Sequence, residues 1–357
     1  MKNNWPTKKV KDCLEKIPRL GSVFSSKTLK EGKFPIIDQG QDFIAGYTND
    51  KSLVFSDCLP VVIFGDHTRI LKFIDFPFAV GADGTKILKP NKDFDSRFFY
   101  YMLLSLDLES RGYARHFKLL RESEIPLPPL SEQKKIVKIL DEKMRKIAEA
   151  KKLREEALAD TERIFPQTLH EISEEGKKKE WEEKMFEEVL DYEQPTRYIV
   201  SSKDYSYDYK TPVLTAGKTF ILGHTKEKDG IFPTSKLPVI IFDDFTTAIK
   251  FVDFPFKVKS SAMKILHTKK GKANARFLFY LMQIIKINHY THKRYWISEY
   301  SKVRILLPSL AEQQKIVSRL GALSAKIRQA TELQKSQLED FKKLEKAYLR
   351  EAFSEKL

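Results

Sequence analysis

Apolar residues recur at alternating steps of three and four along two long stretches of the chain. Since this spacing places side chains on one helical face, it predicts two helices of roughly 35 to 45 residues. Proline is absent from residues 131–165 and from 311 onwards. The first stripe contains Val137, Leu140, Met144, Ile147, Ala150, Leu153, Ala157, Ile164 and Phe165. The second contains Ile316, Leu320, Leu323, Ile327, Ala330, Phe341, Leu344 and Tyr348.

Each stripe needs an apolar partner, because an exposed seam of this length would not stabilise a helix. The other stripe is the favoured partner. The alternative is that each stripe packs on its own globular half.

Both helices begin with nearly the same sequence. Residues 127–140 read LPPLSEQKKIVKIL and residues 307–320 read LPSLAEQQKIVSRL, with nine identical positions. The repeat continues upstream, where residues 63–88 align without gaps on residues 241–266 and share fourteen positions. The chain is therefore a tandem duplication in the order globule, helix, globule, helix.

Strand patterns dominate each globule, and we expect a mixed α+β fold. Residues 60–64 and 238–242 are short apolar runs typical of buried strands. Residues 70–80 alternate, and Pro77 places that segment at an edge or a bulge. Helices are expected over 96–108 and 275–287. The polar segment 173–180 (SEEGKKKE) is predicted to link the halves.

Composition indicates a polyanion partner. The net charge is +15, of which the globular halves carry +13, while the helices are close to neutral. A lysine-rich proteome is the less favoured explanation of the charge alone. Cys13 and Cys58 lack metal or disulfide spacing, and no signal peptide or membrane span is recognisable, so a cytoplasmic location is expected.

Catalytic motifs are missing from the sequence. It contains no phosphate-binding loop, dinucleotide fingerprint, nucleophile elbow or H-E-x-x-H. Asp243 and Asp244 could form a metal pair, Glu182 and Glu183 could belong to a nuclease site, and the region of His289 has a second histidine three residues on. A solvated surface explains the acidic pairs better. The two histidines lack an evident third ligand, and the tyrosine, lysine and arginine residues around them suit nucleic-acid contact better than a metal site. We expect no enzyme activity, metal or cofactor in this chain.

Predicted loops instead carry side chains suited to reading base edges and holding phosphates. The candidates for base readout are Gln39, Gln41, His67, Thr246, Thr247 and His292. The candidate cations for backbone or bases are Arg69, Lys86, Arg111, Arg115, Lys118, Lys218, Lys264, Lys293 and Arg294. The two copies keep their strand residues but differ in these loops, as expected of two readers with different targets. Neutral drift of surface loops would produce the same pattern.

The duplicated helix start resembles the specificity subunit of type I restriction-modification systems, and the likeness covers nearly the whole chain. FGDHTR (64–69) and GADGTKIL (81–88) also resemble segments of one class of its recognition domains. The second copy has KSSAMK at 259–264 instead, so contacts inferred from this pattern hold for the first half only.

The resemblance implies two similar mixed α/β target-recognition domains, residues 1–126 and 176–306, separated by two spacer helices, residues 127–175 and 307–357. The helices would form an antiparallel coiled coil in a pseudo-twofold molecule. Each domain would read one half of a bipartite double-stranded DNA site. Two methyltransferase subunits would dock on the helices and supply S-adenosylmethionine chemistry, and a restriction subunit would add ATP and Mg²⁺.

Three other classes remain open at this point. A non-specific nucleic-acid adaptor would explain the charge and the helices, but it would not prefer a two-part site. A coiled-coil scaffold would leave the basic globules without a purpose. A nuclease would cleave DNA with Mg²⁺ in isolation.

Overall fold

The protein is described by a computed structural model over residues 5–17, 21–23, 25–81, 84–109, 112, 114–215, 219–285 and 294–353. The chain forms two compact units. The first contains Met1–Glu155 and Ser336–Leu357, and the second contains Glu156–Lys335. Each unit thus combines one globular half with part of each long helix.

The first globular half has short strands and two helices in its described residues. Its strands are β1 (Thr7–Lys9), β2 (Ser22–Val23), β3 (Phe34–Ile37), β4 (Gly46–Thr48), β5 (Val54–Phe55), β6 (Val61–Gly65), β7 (Leu71–Ile74), β8 (Phe78–Gly81), β9 (Thr85–Leu88) and β10 (Glu124–Pro126). Its helices are α1 (Ser96–Ser105) and α2 (Phe117–Glu122), and the long helix α3 (Leu130–Lys178) follows.

The second half repeats this plan. Its strands are β11 (Glu182–Met185), β12 (Leu190–Glu193), β13 (Thr211–Leu214), β14 (Ile221–Thr225), β15 (Val239–Asp243), β16 (Ile249–Val252), β17 (Lys257–Val258), β18 (Met263–Thr268) and β19 (Arg304–Leu307). Its helices are α4 (Phe186–Val189), α5 (Ala275–Met282), α6 (Tyr295–Ser298) and the long α7 (Leu310–Phe353).

Sheet topology shows the duplication directly. The antiparallel order β7-β6-β9 corresponds to β16-β15-β18, and the β3-β4 hairpin, with β8 parallel to β3, corresponds to β13-β14 with β17. The central strands β6 and β15 are buried throughout, as their apolar runs predict. Each fully buried Val, Ile or Phe there contributes about 1.5–3 kcal/mol.

Some predicted boundaries were wrong. Residues 70–80 form two strands of different sheets, β7 and β8, and Pro77 lies between them rather than within one edge strand. Helix α1 ends at Ser105 and α5 at Met282, earlier than expected. The predicted linker is largely helical, because α3 continues to Lys178, and Pro166 does not end that helix.

The two long helices pack antiparallel. In the first unit, Lys151 lies 2.6 Å from Glu345, and the Lys143 ammonium lies 4.0 Å from the ring centre of Tyr348. In the second unit, Gln334 donates to the Thr161 hydroxyl at 3.1 Å, and Leu320 packs in one cluster with Leu169. In each unit, residue numbers that increase along α3 are matched by residue numbers that decrease along α7, as expected for antiparallel helices.

Both proposed partners of the apolar stripes are used. Ile136 and Leu140 of α3 lie in one core cluster with Phe98 and Phe99 of α1 and with Leu349 of α7. The stripe therefore packs on its own globular half and on the other helix at once. Leu153, Ile164 and Leu344 are exceptions, since they are 67%, 41% and 37% exposed.

A buried glutamine explains the repeated phrase at the helix starts. The Gln133 amide donates to the carbonyls of Asp93 and Pro128, both at 2.9 Å, and its oxygen accepts from the Asp95 backbone N–H at 2.8 Å. Asp95 in turn caps α1. Because one buried side chain satisfies three backbone groups, it ties the start of α3 to the globule.

The second copy has the same arrangement. Gln313 donates to the Pro308 carbonyl at 2.8 Å and accepts from the backbone N–H of Asn274 at 2.7 Å. Asn274 is the residue that caps α5.

Replacing this glutamine tests its role. We expect Gln313→Met to lower the free energy of unfolding by about 1–3 kcal/mol, because buried backbone groups lose their partners. Denaturant titration measures the change. The matched control is Gln329→Met at an exposed position of the same helix, where a change below about 0.5 kcal/mol is expected. Equal losses in both variants would contradict the role of Gln313.

The two cysteines should differ in reactivity. Cys13 is buried, its thiol donates to the Lys9 carbonyl at 3.2 Å, and burial raises its pKa to about 11. Cys58 is exposed. Since only thiolates react, we expect a thiol reagent at pH 8 to modify one cysteine of the native chain rapidly and the second only after denaturation. Cys58→Ser should abolish the rapid phase, and rapid labelling of that variant would contradict the assignment.

Candidate nucleic-acid interface

In the first half, three loops meet around Gln39 and His67. The Thr68 hydroxyl donates to the Gln39 carbonyl at 2.7 Å, and the His67 backbone N–H donates to the Gln39 side-chain oxygen at 3.2 Å. A Cβ on Gly84 would lie 2.9 Å from Gln39 Nε2 and 3.1 Å from His67 Cδ2. Glycine at 84 therefore leaves room for these two candidate base readers to lie together.

Asp66 connects this cluster to α2. Its side-chain oxygen accepts from the Phe117 backbone N–H at 2.8 Å, and its carbonyl accepts from the His116 N–H at 2.8 Å. Its own N–H donates to the Gly84 carbonyl at 2.8 Å. One buried aspartate thus fixes the relative positions of the β6–β7 turn, the β8–β9 turn and the start of α2. We call this aspartate and the three backbone segments that it joins the frame of the site.

The predicted cations of this half are spread around that frame. Lys86 lies 5.8 Å from the ring centre of Phe117, and Arg115 and Lys118 are exposed on either side of that ring in sequence. Arg69 occupies the left-handed region with φ 63°, and its guanidinium donates to the Leu108 carbonyl at 2.7 Å, so it points toward the segment after α1. Gln41 is exposed in the β3–β4 loop. Arg111 lies outside the described residues.

The second half builds the same frame with other side chains. Asp244 is 3% exposed, its carbonyl accepts from the Tyr295 N–H at 3.0 Å, and its side chain accepts from the Trp296 N–H at 2.9 Å. Its own N–H donates to the Ala262 carbonyl at 3.3 Å. Thr247 has φ 58°, which matches Arg69 in the first half. The backbone of the turn is preserved although its side chains differ.

The candidates of this half are only partly brought together. Thr246 is exposed and Thr247 half-buried in the β15–β16 turn, and Arg294 is exposed directly before Tyr295. Among the candidates that the structure describes, only Lys264 is buried. Its ammonium lies 3.6 Å from Asp244 and 4.8 Å from the Tyr192 ring centre, where it supports the frame. Lys218, His292 and Lys293 lie outside the described residues.

Lys72 is a residue that the sequence analysis missed. Its side chain is 4% exposed, and the ammonium donates to the Asp42 carbonyl at 2.5 Å and lies 3.7 Å from Asp38. Burial lowers the pKa of Lys72. The corresponding Lys250 lies 5.7 Å from the ring centre of Phe220. Lys72 therefore supports the hairpin loop of the first half, whereas Lys250 is exposed and only lies near a ring of the corresponding loop.

The same positions in both copies contain the signal that could have identified these residues. Asp66 and Asp244, and Lys72 and Lys250, are identical between copies although they flank loops that differ. A polar residue retained beside variable neighbours indicates a supporting role. The candidates were selected from the sequence for their suitability for contacting DNA, without asking which shared polar residues support the loops.

Comparison with known proteins agrees with this architecture. A family model described as the type I restriction modification DNA specificity domain matches residues 2–158 and again residues 178–340. The chain belongs to this family, and each half contains one copy of the domain. The predicted resemblance is thereby confirmed.

A curated relative is the Escherichia coli type I restriction enzyme EcoR124I/EcoR124II specificity subunit. It is 47% identical over 163 residues, which cover 42% of this chain and 40% of the relative. The match thus spans about two fifths of the length of the relative.

One solved structure shares the fold, and a second resembles it less closely. A chain from a structure on complex assembly and conformational transition of the type I R-M system has a TM-score of 0.71 at 17% identity and covers 99% of both chains. The HsdS subunit from Thermoanaerobacter tengcongensis has a TM-score of 0.48, with 17% identity over 99% of this chain and 98% of that chain. The predicted fold class, two similar mixed domains with two long antiparallel helices, is confirmed. Within the described residues, no helix is both long and apolar enough to cross a membrane.

Loss of Lys72 should loosen the β3–β4 loop. In Lys72→Met the Asp42 carbonyl loses its donor, so we expect hydrogen exchange in residues 39–45 to rise about tenfold while β6 stays protected. Exchange followed by mass spectrometry measures this.

Lys257→Met is the matched control, since Lys257 is equally buried and donates to the Asp229 carbonyl at 2.6 Å. In this control we expect hydrogen exchange to become faster near Asp229 and to stay unchanged in residues 39–45. Unchanged exchange of residues 39–45 in Lys72→Met would contradict the supporting role.

Proposed function

We propose that this chain is the DNA-reading subunit of a type I restriction-modification complex. Each globular half reads one part of a bipartite double-stranded target, and methyltransferase subunits dock on the long helices. The chain itself is not catalytic. Its partners supply S-adenosylmethionine for methylation, and a restriction subunit uses ATP and Mg²⁺. The complex works in the cytoplasm.

The observation that supports this proposal most strongly is that the two halves share one frame but differ in their loop residues. Asp66 and Asp244 make the same backbone contacts, and the left-handed positions Arg69 and Thr247 coincide. The side chains at the tip of the turn nevertheless differ, with a half-buried His67 in one half and an exposed Phe245 in the other. A shared frame with different side chains on its loops suits two domains that recognise different DNA sequences.

The long helices supply a surface for protein partners. Leu153, Ile139 and Leu344 are 67%, 44% and 37% exposed in the first unit, and Leu333 is 61% exposed in the second. Exposed apolar side chains of this size on a helix pair are typical of interaction sites. Membership in the specificity-domain family favours methyltransferase subunits as the partners.

Selection from random duplex tests the function. The chain, purified with its native partners, should enrich a site of two defined parts separated by an unread gap. Without partners it should neither methylate nor cleave DNA when S-adenosylmethionine, ATP and Mg²⁺ are present. Enrichment of no sequence would favour a non-specific adaptor, and cleavage by the isolated chain would favour a nuclease.

The two turns should act on separate half-sites. We expect His67→Ala to weaken binding by about 1–3 kcal/mol and to relax one position of the first half-site, because a base-edge contact is lost. Phe245→Ala, the equivalent change in the other half, is the matched control and should affect the second half-site only. Arg69→Ala should act on the first half-site as well. Binding that is unchanged for every sequence in both first-half variants would refute the loop assignment.

A further inference from the structure

The second half has a tyrosine-rich segment that belongs to none of the loops considered above. Residues 203–210 read KDYSYDYK, and Ser206 pairs antiparallel with His224 of β14. Tyr207 is 77% exposed, and its ring lies 5.9 Å from that of His224. The segment therefore adds an aromatic strip along the edge of the β13–β14 hairpin.

Two lysines lie on this strip. Lys259 is 3.4 Å from the Tyr205 hydroxyl and 5.2 Å from its ring centre. Lys226 is 5.8 Å from the Tyr209 ring centre and 3.0 Å from Asp204, which also accepts from the Tyr209 hydroxyl at 3.1 Å. We call Tyr205, Tyr207, Tyr209, Lys226 and Lys259 the tyrosine–lysine patch.

The first half has the same backbone without the patch. There Leu29 pairs with Tyr47 of β4 as Ser206 pairs with His224. A Cβ on Gly46 would lie 2.2 Å from Thr28, and a Cβ on Gly223 would lie 3.0 Å from Tyr205, so Thr28 is the equivalent of Tyr205. The scaffold accepts either residue at this position.

Lys259 also has no counterpart in the first half. Its equivalent is Gly81, where a Cβ would lie 2.8 Å from Ile36 and 2.9 Å from Asp38. No side chain of ordinary size fits there without a shift. The patch is therefore a property of the second half alone.

The patch is continuous with the candidate loops of its own half. The Lys259 N–H donates to the Leu214 carbonyl at 2.9 Å, at the end of β13. The turn that follows Lys259 reaches Ala262, whose carbonyl accepts from Asp244. A strip that begins at the reading turn and runs along the hairpin edge is positioned to follow a DNA strand beyond the bases that are read.

We propose that the tyrosine–lysine patch contacts the sugar–phosphate backbone that flanks the second half-site, without reading its sequence. Lysine ammonium groups and tyrosine hydroxyls both donate to phosphate oxygens, and exposed rings pack on sugars. This inference rests on the proposed function and extends its DNA contact in one half only. Lys259 is the principal cation, since Lys226 already pairs with Asp204.

The salt dependence of binding tests the patch. For the full chain with its partners on a duplex containing the selected site, Lys259→Ala should reduce the slope of log Kd against log salt by about 0.9, the value for one phosphate contact. Tyr205→Thr combined with Lys259→Gly, the residues that the first half already carries, should weaken binding about tenfold on all sequences. Hydroxyl-radical footprints should shorten beside the second half-site only.

Lys270→Ala is the control, because Lys270 is exposed beyond the end of β18 that lies away from the reading turn, and its slope should equal that of the wild type. An unchanged slope in Lys259→Ala, or altered base preference in the double variant, would overturn the proposal. Normal DNA binding with loss of a protein subunit would overturn it in favour of a protein contact. If the wild type selects no two-part site, the proposed function fails, but the slope difference on any duplex still decides the patch.

Discussion

A single buried glutamine at the start of each long helix is the contact on which the architecture depends. Gln133 and Gln313 hydrogen-bond to backbone groups of the proline turn before the long helix. Each also accepts from the backbone N–H of the residue that caps a helix of the globule, α1 or α5. Removing one partner would leave buried donors and acceptors unsatisfied. The direction in which each helix leaves its globule is thereby fixed, and with it the face that the apolar stripe presents.

Given that direction, one stripe serves two purposes. In the first unit, Ile136 and Leu140 lie against α1, and the same cluster takes in Leu349 from α7. In the second, Leu320 lies with Leu169 and with Tyr280 of α5. In each unit the long helices thus share a hydrophobic cluster with a helix of the globule, so a helix cannot shift without disturbing that contact. Under the proposed function, this coupling would hold the recognition loops steady against the partner subunits.

The two halves show how such a frame tolerates different tips. Buried aspartates and left-handed turn positions are common to both halves. The aspartates are needed whatever the loop sequence, because they provide hydrogen-bond partners for backbone groups of the loops. The exposed side chains are free of that constraint. Lys72 is buried and donates to a carbonyl of its hairpin loop, whereas the equivalent Lys250 is exposed and lies near the ring of Phe220. The same position therefore has different surroundings in the two halves, and the tyrosine–lysine patch is a further difference of this kind.

The sequence by itself determined the duplication, the two long helices, the buried strands β6 and β15 and the family. These follow from periodicity and from matching copies, which are local or repeated signals. It did not reveal that α3 passes through Pro166 to Lys178, because packing along the helix pair outweighs the local cost of one proline. Only the tertiary structure showed the roles of Gln133, Asp66 and Lys72 and the burial of Lys264, since these depend on partners 20 to 50 residues away, such as Asp244 for Lys264 and Phe117 for Asp66.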